Sequence, residues 1–287
     1  MDKKYTAKEL DLLHAELYDI LGETIRICRK HDIPYFVIGG TAIGALYDRA
    51  ILPWDDDIDI GMARKDYNRF LEVAPRELGD SYFLSWIETD PHSPYYYAKV
   101  KKNNTLFVEE MFKNVPMHPG IFVDIFPFDR IPDNKLLRKL QYDAAGFLKC
   151  CLMGKEIWMW KHFGKCEIEH PTNRGAFSCF LNRVVDLLFS KKAIYRMLVS
   201  VQSCFNSRNT RYYNNVMANA DHVTVESLHH LQPVKFGPLT VTAPDDLEGF
   251  LRYNYPTLHR YTEEEQEKVN NHYPAALSFS TTPKQEL

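Results

Sequence analysis

Apolar residues recur at intervals of three and four at the start of this chain, through Leu10, Leu13, Leu17, Leu21 and Ile25. That spacing predicts a helix with one buried face running to about Lys30, opened by the capping box of Thr6 and Glu9. The short apolar run PYFVI (34–38) predicts a buried strand, ended by Gly39 and Gly40, and TAIGALYDR (41–49) predicts a short helix. Pro53 breaks the chain. DIDIGM (57–62) alternates strictly, the signature of a strand with one face inward. RKDYNRFLEVA (64–74) puts Tyr67, Phe70, Leu71 and Ala74 on one side of a helix. Four more strands are predicted at YFLSWI (82–87), YYAKVKK (96–102), TLFVEE (105–110) and IFVDIFPF (121–128).

Beyond Lys135 the period changes. The pattern is mostly helical to about Phe205, with an interruption around Gly164 to Gly175. VKFGPLTVTAP (234–244) predicts a hairpin turning at Gly237–Pro238, and DDLEGFLRYNY (245–255) a final helix. The last ten residues or so are polar and look unanchored. The fold class expected is α+β: a mixed sheet flanked by helices in residues 1–131, followed by a mainly helical region, 132–287, that ends in the hairpin and helix.

Composition changes this picture little. With 287 residues, 45% hydrophobic and 25% charged, the chain is ordinary globular protein. A net charge of -3 gives no reason to expect a nucleic-acid partner. The six cysteines form no CxxC pair, so no disulfide scaffold is expected. The charged N-terminus does not read as a secretory signal, and no apolar stretch is long enough to span a bilayer. The expected location is the cytoplasm, with the inner face of the membrane left open. LKCCLMGKEIWMWKHF (148–163) mixes lysine with Trp, Leu and Met, and reads either as a stripe packed on the core or as a contact with a membrane surface.

The candidate chemistry lies in Asp55, Asp56, Asp57 and Asp59. Within the predicted strand, Asp57 and Asp59 share a face while Ile58 and Ile60 point to the core. Two parallel carboxylates suit a hard divalent cation, Mg²⁺ or Mn²⁺; the plainer alternative is a solvated acidic turn. Ile60 stands where a calcium loop needs glycine. Gly39, Gly40 and Thr41 form a strand-to-helix turn able to hold an anion. Asp124 sits inside an apolar strand, where an unpartnered carboxylate would be costly. His162, Cys166 and His170, with Cys150 and Cys151, raise zinc as a weaker alternative to packed thiols.

Taken together, GGTAIGALYDRAILPWDDDIDIGMARKDYNRFL, YYYAKVKKNNTLFVEE (95–110), GIFVDIFPFDRIPD (120–133) and VKFGPLTVTAPDDLEGFLRYNYP (234–256) resemble the LicD family of the nucleotidyltransferase superfamily. The resemblance implies a nucleotidyltransferase-like sheet and metal-dependent transfer of phosphocholine, or a similar phospho-alcohol, from CDP-choline or a related CDP-alcohol. The acceptor implied is a sugar hydroxyl on a lipid- or polymer-linked glycan. It implies catalytic, metal-binding roles for Asp57, Asp59 and Asp124, and a phosphate-facing turn at Gly40 and Thr41. Lys99 is the cation best suited to neutralise phosphate, with Arg49 second; a solvated lysine at a strand edge is the alternative for Lys99. Trp54 borders the acidic cluster and is the aromatic expected to meet a trimethylammonium group; Tyr95, Tyr96, Tyr97, Trp158 and Trp160 are further aromatic candidates. The C-terminal block reads Tyr253-Asn254-Tyr255 where the family often has Tyr-Gly-Asp. The rival readings are an enzyme moving NMP from an NTP, and a metal-stabilised binding protein without turnover.

Overall fold

The computed structural model describes residues 4–163, 184–185, 187–216, 221–267, 269 and 273–280, the side chains of 157–163 and 267 aside. The first helix, α1 (Ala7–Lys30), starts at the capping box of Thr6 and Glu9, whose backbone and side chains bond reciprocally. It buries Leu13, Leu17, Ile20 and Leu21 completely, each worth about 1.5–3 kcal/mol of apolar burial. After it come β1 (Phe36–Val37), α2 (Gly39–Tyr47), β2 (Asp59–Ala63) and α3 (Arg64–Glu77). Three more strands follow, β3 (Tyr82–Ser85), β4 (Ala98–Lys102) and β5 (Leu106–Val108), and then the long β6 (Phe122–Ile131).

The central sheet has the order β1-β2-β6-β4-β3. Only the β2–β6 pairing is parallel; the others along this path are antiparallel. The fold is therefore α+β, a mixed sheet flanked by helices. The far end of β6 turns to a second partner, β7 (Tyr212–Asn214), which in turn pairs with β8 (Val223–Thr224).

The helical region includes α4 (Lys135–Phe163) and α5 (Lys191–Ser203). They pack together with Ile87, Tyr96 and Ile131 in a small second core. After the short α6 (Val225–His229) comes a hairpin, β9 (Leu231–Phe236) and β10 (Leu239–Pro244), with Gly237 at φ +57° in its turn. Helix α7 (Leu247–Asn254) and the short α8 (Glu263–Glu267) lead to β11 (Ala276–Ser278). Phe236, Val241, Ala243, Leu247, Phe250 and Leu251 join the same core as Leu13 to Phe128. The C-terminal block is thus packed on the sheet that the first 131 residues form.

Several local expectations change. Residues 39 and 40 are the first turn of α2, not a turn before it, with Ile38 as the capping residue. Strand β2 starts at Asp59, two residues later than the alternation predicts, because Asp55, Asp56 and Asp57 remain half-exposed in the preceding loop. Three adjacent carboxylates repel less where water reaches them. The polar tail is preceded by β11, which adds to β5, and Ser280 bonds Glu16 through its N–H at 2.9 Å and its hydroxyl at 2.6 Å. The proposed zinc residues Cys166 and His170 lie outside the described residues, as do the side chains of Trp158, Trp160 and His162.

Candidate active site

The parallel pairing sets the site. In the β2–β6 register Asp59 lies opposite Asp124, and in the β6–β4 register Asp124 lies opposite Lys99. Residues opposite one another share a face of the sheet, so the three form one row across three strands. The register is anchored at its end: Asp124 N–H donates to the Ile58 carbonyl at 2.9 Å. Asp59 N–H donates to the Thr41 hydroxyl at 2.8 Å. Thr41 is buried and ties α2 to β2.

Lys99 is 2% exposed. It lies in an internal strand, which overturns the edge reading. Its ammonium is 2.8 Å from Asp124 Oδ1 and 3.0 Å from Oδ2. Only the Oδ2 contact has hydrogen-bond geometry, so Oδ1 is a buried acceptor without a hydrogen bond. The ring centroids of Phe122, Tyr95 and Tyr97 lie 3.3, 4.2 and 5.4 Å from the same nitrogen. A desolvated ammonium gains from such faces.

Beside the row lies the acidic loop. Carboxylate oxygens of Asp55, Asp56 and Asp57 lie within 4.8 Å of one another. Tyr5 donates its hydroxyl to Asp56 at 2.9 Å, and the His14 ring meets the Asp55 carbonyl at 2.8 Å. Burial, then Asp57 and Asp56, push the Asp55 carboxyl up to about 8. Burial, then Asp57, Asp124 and Asp55, hold Asp59 well above the usual carboxylate range, against the pull of Lys99. Burial raises Asp124 to about 6, with Lys99 opposing and Asp57 adding. Asp57 acts on both aspartates of the row and so links loop to sheet. Carboxylates raised by burial and mutual repulsion, with one buried oxygen lacking a hydrogen bond, suit a hard divalent cation; among the described residues the carboxylate oxygens grouped closely enough to share one are those of Asp55, Asp56 and Asp57, with the expected ligands Asp59 and Asp124 outside that group.

The two glycines serve this crowding. A Cβ at residue 40 would lie 2.5 Å from Asp55 Oδ2, and one at residue 39, where φ is +54°, would lie 3.4 Å from Asp59 Oδ2. Their absence lets both carboxylates approach the first turn of α2. Asp221 accepts the Gly39 N–H from the other side and a hydroxyl bond of 3.1 Å from Tyr255. Asp221 has no signal in the sequence. It arrives from a segment 182 residues downstream, at φ +59°.

Trp54 is half-buried and stacks on Tyr261, centroids 5.7 Å apart and planes 10° from parallel. Together with Gly40, Asp55, Tyr47, Tyr255 and Leu258 this pair lines a cleft of about 320 Å³. The cleft therefore opens on the acidic loop and α2. Arg49 is not brought to it: that side chain is exposed, and its carbonyl accepts the Gly237 N–H. Tyr95 is buried and Tyr97 half-buried around Lys99, and Tyr96 packs in the second core.

This sheet, with acidic residues on neighbouring strands beside a glycine-led helix, matches a family model described as "LicD/FKTN/FKRP, nucleotidyltransferase domain" over residues 32–149. The chain is 33% identical over 196 residues to the lipopolysaccharide cholinephosphotransferase LicD of Haemophilus influenzae, a match covering 66% of each protein. It is 27% identical over 140 residues to an uncharacterised protein of Rickettsia typhi, covering 49% of this chain and 42% of that one. The chain belongs to the LicD family.

Proposed function

We propose that the protein transfers phosphocholine, or a similar phospho-alcohol, from a CDP-linked donor to a sugar hydroxyl of a cell-surface glycoconjugate, using Mg²⁺ or Mn²⁺. The observation that carries this reading is the row of Asp59, Asp124 and Lys99 across three strands, next to Asp57. The named activity of the Haemophilus relative supports it.

In this reading Asp57, Asp59 and Asp124 would hold the cation, which would supply positive charge to a diphosphate. Lys99 holds Asp124 in place through a hydrogen bond to Oδ2 and a charge contact with Oδ1. The first turn of α2 lies against the carboxylates and offers N–H groups to a phosphate oxygen. The cleft takes the alcohol: Trp54, Tyr47, Tyr255 and Tyr261 offer ring faces to a cationic head group. Asp124 is buried and clamped, so the carboxylate suited to accept the proton of an acceptor hydroxyl is Asp55, which lines the cleft. Phosphoryl transfer of this kind rests mainly on positioning and charge.

The test is a donor screen with Mg²⁺, following CMP release from CDP-choline, CDP-ethanolamine, CDP-glycerol and CDP-ribitol with a lipopolysaccharide acceptor. Asp59→Asn should cut turnover by about a hundredfold or more, and Trp54→Ala should raise KM for a choline donor more than for a neutral one. Full activity in Asp59→Asn would remove the mechanism. Pyrophosphate release from an NTP would move the chain to nucleotidyl transfer.

A further inference from the structure

Asp221 has no role in the chemistry of the row, yet it touches both halves of the site: the first turn of α2 and the wall of the cleft. Helix α2 begins without a cap of its own, since Ile38 at the capping position has no side chain that can bond an N–H. Asp221 supplies the missing acceptor and takes the Gly39 N–H. Its Oδ1 also accepts the Tyr255 hydroxyl at 3.1 Å, and Tyr255 lines the cleft. Burial, then Asp221, and then Asp59 raise that hydroxyl above its ordinary range, so the link runs beside the row of carboxylates. Asp59 faces Gly39 across the missing Cβ, and Asp221 faces it from the N–H.

A helix needs no such apparatus merely to be capped. Asp221 is buried and sits at φ +59°, a conformation unfavourable to a residue with a Cβ and kept only where the surroundings fix it. Bonds to the next residue do the fixing. The Asn254 amide clamps His222 on both sides: its Oδ1 accepts the His222 N–H at 2.7 Å, and its Nδ2 donates to the His222 carbonyl at 3.0 Å. The His222 ring meets the Tyr142 hydroxyl of α4 at 3.1 Å. Val223 then opens β8, which is joined through β7 to the far end of β6. The strand that carries Asp124 therefore also sets, through two neighbours, the place of Asp221. The helical region and the C-terminal block meet at this one side chain.

We propose that Asp221 is a positioning residue for the transfer: through Gly39 it holds the first turn of α2 against a diphosphate, and through Tyr255 it fixes the cleft wall that meets the alcohol. This rests on the reading of α2 as the diphosphate site and of the cleft as the alcohol site. The test compares wild type, Asp221→Asn, Tyr255→Phe and the double variant. CMP release is followed with the CDP-alcohol that wild type uses best, and binding is measured, in Mg²⁺, with CDP, which lacks the alcohol. Asparagine tolerates a left-handed backbone and keeps the shape, but loses the charge and one acceptor oxygen. Asp221→Asn should lower kcat about tenfold and weaken CDP binding by a similar factor. Tyr255→Phe keeps the ring, so it should raise KM for the CDP-alcohol about threefold and leave CDP affinity at the wild-type level. The double variant should lose less than the product of the two effects, because the Tyr255 bond is weakened in both. Wild-type kcat and CDP affinity in Asp221→Asn overturn the proposal. So does a loss confined to the thermal midpoint, which would leave Asp221 a plain helix cap. Wild type inert on every CDP-alcohol overturns the reading and this inference together, whereas active wild type with an unaffected Asp221→Asn overturns this inference alone.

Discussion

Lys99→Met isolates what the buried ammonium does. Methionine keeps most of the volume among Phe122, Tyr95 and Tyr97, so the loss is electrostatic. At 2.8 Å from Asp124 Oδ1, and with an effective dielectric of about 20, the pair attraction is about 6 kcal/mol. The desolvation of the ammonium, several kcal/mol, is recovered on its removal. Asp124 is then left with Asp57 and Asp59 and no cation, and it responds by taking up a proton, which caps the damage. The net expectation is a loss of about 3 kcal/mol, the lower end of what breaking a buried pair costs. For a chain of this size that is a fall of about 6–12 °C in thermal midpoint. The assay is thermal unfolding followed by circular dichroism in EDTA, for wild type, Lys99→Met and Lys99→Met/Asp124→Asn. The double variant should recover part of the loss, because both charges are gone. A midpoint within about 1 °C of wild type for Lys99→Met would refute the reasoning, and would mean that water or rearrangement compensates Asp124.

Two further outcomes test other parts of the structure. Asp55 is raised from the ordinary carboxylate range to about 8, so the folded chain binds its proton more tightly than the unfolded chain does. Its contribution to stability is therefore largest below about pH 4 and is lost as pH rises toward about 8. In EDTA, Asp55→Asn should gain on wild type in thermal midpoint between pH 5 and 8, and a constant difference would refute this. Gly61→Ala would set a Cβ 2.7 Å from a Phe128 ring atom and 2.8 Å from one of Phe36, both rings being buried. Overpacking of that kind costs about 1–3 kcal/mol, measurable by urea unfolding; an unchanged midpoint would show that both rings can move.

How much of this was readable in the sequence depends on the range of the contacts. Period and turn chemistry are local, and α1, α3 and the Gly237 hairpin lie where they predict. The alternation at Asp59 was also legible, since one buried face leaves the register little choice. The start of β2 was misjudged because alternation does not reveal the repulsion that keeps Asp57 in the loop. KVKK reads as an exposed edge by charge, yet Lys99 is central, because its partner stands on a strand 25 residues away. Asp221 and Tyr261 reach the site from the other end of the chain, through positions that carry no local signal, whereas Tyr255 belongs to the C-terminal block already visible as a motif.

The parallel pairing of β2 with β6 has a temporal meaning. Asp59 and Asp124 are separated by 65 residues, and β2 can lie beside β6 only after α3, β3 and β4 have been traversed. A pairing of such sequence range is expected to close late on the way to the folded state. Before that moment the two carboxylates are far apart and hydrated, so their repulsion does not burden the collapsing chain. A ligand that bridges them recognises the finished sheet and nothing earlier. It should therefore leave the refolding rate almost unchanged and show itself as slower unfolding.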